Sequence, residues 1–186
     1  MAGFLLEGLV EMIDAQFDKS FDRVIGHEGR FQRIHGDRGN WTSGKVGVGE
    51  CKGTKFGISA MTYPKLDIEN LTVEQAKEIY YKDWWVKLRM DLFKPALSYQ
   101  MFDAAINHGM HNASAMLQRG VGVDDDGKIG PATRKAVDLM DLDDVLKVFL
   151  SERLEFMTYV GTWDTFGKGW ARRIALNLKL AAEDTP

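Results

Sequence analysis

Between Gly36 and Gly57 the chain carries seven glycines in twenty-two residues, at 36, 39, 44, 47, 49, 53 and 57. Each would weaken a helix interior by about 1 kcal/mol relative to alanine, so together they exclude a helix here. Short alternating stretches between them, such as Lys45-Val46-Gly47-Val48, predict loops and a small hairpin. What flanks this segment reads differently. Leu9, Ile13, Phe17, Phe21 and Ile25 recur every four residues, with Leu5, Met12 and Val24 beside them, which predicts an amphipathic helix. Glu28 falls three residues after Ile25 and four after Val24, so an acid continues the apolar stripe at the helix's end.

Downstream, Thr72 and Gln75 form a capping box ahead of a helix expected over 73–85. Further helices are expected over 97–108, 112–120, 131–140, 142–160 and 168–182, with Pro131 suited to a first helical position. The fold class is therefore mainly α: a helical bundle with a small Gly-rich β-hairpin or loop insertion next to Glu28. The 186 residues suffice for one compact domain, or one with a small appended lobe, joined at Gly120–Gly130.

A net charge of −3 argues against broad nucleic-acid binding. The amino-terminal stretch is apolar but carries Glu7 and Glu11, lacks a cationic leader and is shorter than a membrane span, so neither a signal peptide nor membrane insertion is expected. The single Cys51 closes no internal disulfide and suits a chain folded in a reducing cytoplasm, or one that needs no staple.

Glycoside hydrolysis needs one carboxyl group held protonated for the leaving oxygen and a second, ionised one across the sugar. Glu28, at the end of an apolar stripe, and Asp37, in a polar Gly-rich loop, are the best-placed pair, with Glu50 and Asp103 the next acid candidates. Among 27 acidic residues spacing alone does not single them out; the wording around them does. Val24-Ile25-Gly26-His27-Glu28-Gly29-Arg30-Phe31, then Asp37-Arg38-Gly39, then Gly53-Thr54-Lys55-Phe56-Gly57-Ile58-Ser59 resembles the N-acetylmuramidases of glycoside hydrolase family 108, known from phage endolysins and bacterial secretion or lysis cassettes. Arg30 stands where that family has a second glycine, and Ser59 where it has threonine. Phe102-Asp103-Ala104-Ala105-Ile106-Asn107-His108-Gly109, Leu117-Gln118-Arg119, the run from Asp126 to Thr133 and that from Phe166 to Arg173 are similar to the peptidoglycan domain that follows the catalytic part in the same family.

The resemblance implies a lysozyme-like catalytic part over 1–118 and a helical peptidoglycan-binding lobe over 119–186 packed on it as one compact unit. It implies hydrolysis of the β-1,4 bond between N-acetylmuramic acid and N-acetylglucosamine in bacterial peptidoglycan, with Glu28 as acid and Asp37, helped by Thr54, as the opposing carboxylate. The spacing from Glu28 to Asp37 also matches phage lysozymes, whose hydroxyl member would fall near Ser43, so Thr54, Thr42 and Ser43 stay open as the helper. Trp41, Asn107, Arg172 and Arg173 are the candidate substrate contacts. No cofactor or metal is implied; the expected setting is a monomer made in the host cytoplasm, released by a helper such as a holin, and acting on the periplasmic wall. A lytic transglycosylase, which needs only the acid, and a non-catalytic wall-binding or virion protein are the rival readings.

Two motifs tempt other chemistry. Asp124-Asp125-Asp126-Gly127 lacks the ligand spacing of a calcium loop and reads as a turn before the Pro131 helix. His108 and His111 lack a third ligand for zinc. Tyr80, Tyr81, Trp84 and Trp85 read as core.

Overall fold

The computed structural model describes residues 15–25 and 30–185. Glu28, with its neighbours 26–29, lies outside the described residues. The described chain is mainly α, with one two-stranded sheet. It divides into two compact units, one holding residues up to Ser20 together with those from Trp84 onward, the other spanning Phe21–Asp83. The expected functional boundary at 118/119 falls inside a helix of the first of these.

Residues 15–25 form helix α1. In the larger unit α3 (Pro95–His108) is central, packed by α4 (Met110–Gly120), α6 (Leu142–Thr158) and α7 (Trp163–Asp184). Every residue from Ala96 to Ala105 is buried, so this helix lies in the middle of the bundle with no face left to solvent over that stretch. Its buried polar side chains each make at least one hydrogen bond, although Gln100 Oε1 has no partner among the described residues. Ser98 Oγ donates to the Met90 carbonyl at 2.8 Å, the Tyr99 hydroxyl to Asn177 Oδ1 at 3.0 Å, and Gln100 Nε2 to the Asn177 carbonyl at 2.9 Å. Phe17, Trp85 and Phe102 meet edge-to-face with centroids 5.4 to 5.9 Å apart, which makes Trp85 core as expected.

Helix α5 (Pro131–Leu139) follows the loop 121–130. Buried Gln118 holds that loop: its Nε2 donates to Asp126 Oδ1 (2.8 Å), the Lys128 carbonyl (3.0 Å) and Thr133 Oγ1 (3.2 Å), while its Oε1 accepts from Gly127 N–H (2.8 Å). The acidic run is thus a turn ahead of α5. Helix α7 begins at Trp163, five residues before the sequence pattern suggests. Gly167 obscures the start: a Cβ there would lie 2.7 Å from the Trp163 ring, so glycine is present to seat an indole rather than to end a helix.

In the smaller unit α2 (Val73–Tyr80) begins on the expected capping box, Thr72 Oγ1 accepting from Gln75 N–H at 3.2 Å and Gln75 Oε1 from Thr72 N–H at 3.0 Å. It widens into a π turn over Tyr81–Trp85. The hairpin lies later than Lys45–Val48: strands β1 (Thr54–Lys55) and β2 (Ile58–Ser59) pair antiparallel. Val46 and Val48 are half exposed in turns. With left-handed glycines at 44, 47 and 49, that stretch makes tight turns instead of a ladder.

Candidate functional site

The Gly-rich segment is ordered from within. Phe56 and Gly57 both take positive φ, +51° and +76°, as a two-residue primed hairpin turn demands. The Tyr80 hydroxyl donates to the Phe56 carbonyl at 2.9 Å and would lie 2.6 Å from any Cβ at position 57. Burial pushes the Tyr80 pKa up, so the proton needed for this bond stays in place. Gly53, at φ +87°, is fixed by closeness: a Cβ there would sit 2.4 Å from the Gln32 carbonyl oxygen.

Asp37 caps the short 3-10 turn Arg38–Asn40. Its Oδ1 accepts from Gly39 N–H and its Oδ2 from Asn40 Nδ2, both at 2.8 Å. Asn40 is buried, and its carbonyl accepts from Gly53 N–H at 3.1 Å. The next residue is Thr54, whose backbone exchanges two 2.8 Å hydrogen bonds with Gln32 on one side and pairs with Ser59 on the other. A short chain of bonds thus ties the exposed Asp37 carboxylate to the half-buried Thr54, both on a fixed frame.

The alternative hydroxyls are committed to closing the 42–50 loop. Thr42 Oγ1 accepts from Glu50 N–H at 3.0 Å, and Ser43 Oγ donates to the Val48 carbonyl at 2.7 Å. No described residue hydrogen-bonds the Thr54 hydroxyl. Trp41 is half-buried rather than free in its loop: Nε1 donates to the His35 carbonyl at 2.9 Å and the two rings meet edge-to-face at 5.9 Å. Glu50 is exposed beside Lys52, with N and O 3.4 Å apart.

In the larger unit Asp103, Asn107, His108, Arg153 and Arg173 form one cluster. Asp103 is buried, facing two guanidiniums. Arg173 Nε lies 3.1 and 3.2 Å from its two oxygens and Nη2 also bonds it, Asn177 Nδ2 donates at 2.9 Å, and Arg153 Nη1 sits 2.6 Å away in an ion pair. Burial opposes ionisation of Asp103, but the charges of Arg153 and Arg173 outweigh it and hold the pKa down at about 2. Asp103 therefore has no proton to donate near neutrality and is no reserve acid, which corrects its standing as a candidate. Arg173 spends its guanidinium on this carboxylate, whereas neighbouring Arg172 is exposed. Asn107 is exposed, its Nδ2 donating to the Asp103 carbonyl at 2.7 Å. His108 Nε2 accepts from Arg153 Nε at 3.1 Å. Burial, then the Arg153 charge, pushes its pKa down to about 4.

The model of the family described as "Glycosyl hydrolase 108" matches residues 21–109. The solved structure of Brucella abortus SagA is similar at 30% identity with a TM-score of 0.78, over 92% of this chain and 97% of SagA. The chain belongs to glycosyl hydrolase family 108. A comparison with curated proteins gave no match.

The family 108 match contains Glu28, Asp37, Trp41, Thr54 and Asn107; Arg172 and Arg173 lie beyond it. Within this family 108 chain the residue that pattern reading passes over is Arg153. Its signal is present: Val145, Phe149, Arg153 and Met157 follow one another every four residues, so a cation occupies a core position of α6. Asp103, inside the apolar run of α3, is the matching anion.

Proposed function

We propose that this family 108 glycosyl hydrolase is an N-acetylmuramidase that cuts the β-1,4 bond between N-acetylmuramic acid and N-acetylglucosamine in bacterial peptidoglycan. The observation that carries the reading is the match over residues 21–109, a span that includes Glu28, Asp37 and Thr54. In this reading Glu28 protonates the leaving oxygen. Asp37, steadied by Gly39 and Asn40, polarises a water on the opposite face of the sugar. Thr54 helps hold that water; its hydroxyl, which no described residue hydrogen-bonds, favours it over Thr42 and Ser43, whose oxygens serve the loop. Inversion follows if the two carboxyl groups stand about 6.5 to 9.5 Å apart.

Trp41, Asn107 and Arg172 are proposed glycan contacts, with Arg173 acting through Asp103, and residues 119–186 are proposed to add wall affinity. The proposed setting is endolysin-like: a monomer made in a host cytoplasm and admitted to the periplasmic wall by a holin-type helper. No described helix is long and apolar enough to cross a membrane.

The test is release of soluble fragments from purified peptidoglycan by the wild type and by Glu28→Gln. An amide has no proton to give, so lysis should fall at least about a hundredfold, the low end of general acid catalysis, with unchanged melting. Activity of Glu28→Gln within about tenfold of wild type would overturn the role of Glu28, since general acids contribute more than that.

A further inference from the structure

Tyr80 apart, Asn40 is the only buried polar side chain among the described residues of the smaller unit. A buried amide is costly unless its groups are hydrogen-bonded, so its partners show what it is there to hold. Its Oδ1 accepts from Ile34 N–H at 3.3 Å, its Nδ2 donates to Asp37 Oδ2 at 2.8 Å, and its carbonyl accepts from Gly53 N–H at 3.1 Å. The Ile34 bond decides which way the amide points. Only the oxygen accepts from an N–H, so the nitrogen, a donor, faces the carboxylate.

The two donors that hold Asp37 are not alike. Gly39 N–H is backbone two residues on, the bond of an Asx turn, and residue 39 supplies it whatever its side chain. The Asn40 donor exists only because residue 40 carries an amide. The same residue reaches Thr54 by another route, through its carbonyl and Gly53, and the Thr54 backbone is then paired on both sides. Because the two links leave Asn40 from different atoms, one can be cut without the other.

We infer that Asn40 is a positioning residue of the proposed reaction: its amide orients the Asp37 carboxylate, and its carbonyl fixes Thr54 relative to that carboxylate. The inference rests on the muramidase reading above. The isosteric change Asn40→Asp separates positioning from packing, because it keeps the shape, an oxygen for Ile34 and the carbonyl for Gly53, and turns only the donor into an acceptor. Two carboxyl groups that close do not both ionise readily, so the pair keeps a proton to higher pH than one carboxyl group alone. A base must be ionised to act, so the acid limb of kcat/KM, which reports the free enzyme, moves up. Among the described residues no ion pair reaches Asp37, and neither His35 nor Arg38, its nearest ionisable neighbours in the chain, bonds it.

Two measurements on the full-length protein test this. The first needs no variant: the Asn40 side-chain amide protons of isotope-labelled wild type are followed by NMR across pH, beside kcat/KM on soluble peptidoglycan strands. The amide resonances should shift with the same midpoint as the acid limb and stay flat in Asp37→Asn. The second uses Asn40→Asp, which should lower kcat at least about tenfold near neutrality, the size of a charge-assisted hydrogen bond, leave KM unchanged, and raise the acid limb by at least about one pH unit. An Asn40 amide that does not follow the acid limb overturns the inference, as does a folded Asn40→Asp protein with the wild-type limb or a defect confined to KM. If Asn40→Asp does not fold, the wild-type titration decides alone. Strand cleavage with an Asn40 amide blind to the acid limb removes this inference and leaves the muramidase; a wild type that cuts no glycan bond removes the muramidase reading and the inference with it.

Discussion

At the scale of single residues, neighbouring arginines are expected to part company. Arg172 is exposed, so Arg172→Ala should leave stability within about 0.5 kcal/mol. Arg173→Ala removes charge-assisted hydrogen bonds to a buried carboxylate and should cost about 1 to 3 kcal/mol, an amount that thermal melting resolves. His108 adds a pH signature. Its pKa is about 4 in the folded chain and 6.5 when unfolded, so between those values the unfolded chain takes up a proton that the folded one refuses. Its contribution is full above pH 6.5 and is lost as pH falls toward 4. Asp103 acts lower, keeping its contribution above 3.8 and losing it as pH falls to about 2. Calorimetry of wild type and His108→Gln should show the wild-type melting temperature dropping between pH 6.5 and 4, with that segment flattened in the variant; parallel curves would contradict the assignment. Sequence reading finds Asp103 and Arg173 but not their bond, because an ion pair 70 residues apart in the chain leaves no local pattern.

At the scale of elements, the sequence is legible where one rule acts alone. The capping box places the start of α2, and Pro131 opens α5. The hairpin escapes the pattern because alternation at Lys45–Val48 is a weaker signal than a turn able to hold two positive φ values, and Phe56-Gly57 hides that signal behind a phenylalanine. The start of α7 escapes it because glycine reads as a breaker unless the indole covering it is known. Gly53 should be the most sensitive position of the Gly-rich segment. Gly53→Ala meets backbone that cannot move aside and needs a left-handed φ that alone costs about 1 to 2 kcal/mol. Melting should fall by at least that much, and wall cleavage with it, since Gly53 carries the link from Asn40 to Thr54. A Gly53→Ala variant with native melting and full activity would show that this frame does not position Thr54.

At the scale of the whole molecule, the candidate chemistry of Asp37 and Thr54 belongs to the smaller unit, while the Asp103 cluster and Arg172 belong to the larger. Glu28 is legible only as a motif at the end of an apolar stripe, and its geometry lies outside the described residues. The division of labour predicts that Arg172→Ala raises the wall concentration giving half-maximal rate before it lowers turnover; a pure turnover defect would contradict it. In the proposed reaction Glu28 and a water held by Asp37 hydrolyse a glycan bond, and the ends of the products report on that reaction. Mass spectrometry of peptidoglycan digested by the wild type should find fragments ending in free reducing N-acetylmuramic acid, each one water heavier than the anhydro form, and Asp37→Asn should lower their yield at least about a hundredfold. Anhydro-muramic ends with an unaffected Asp37→Asn variant, or fragments cut only in the peptide, would contradict it.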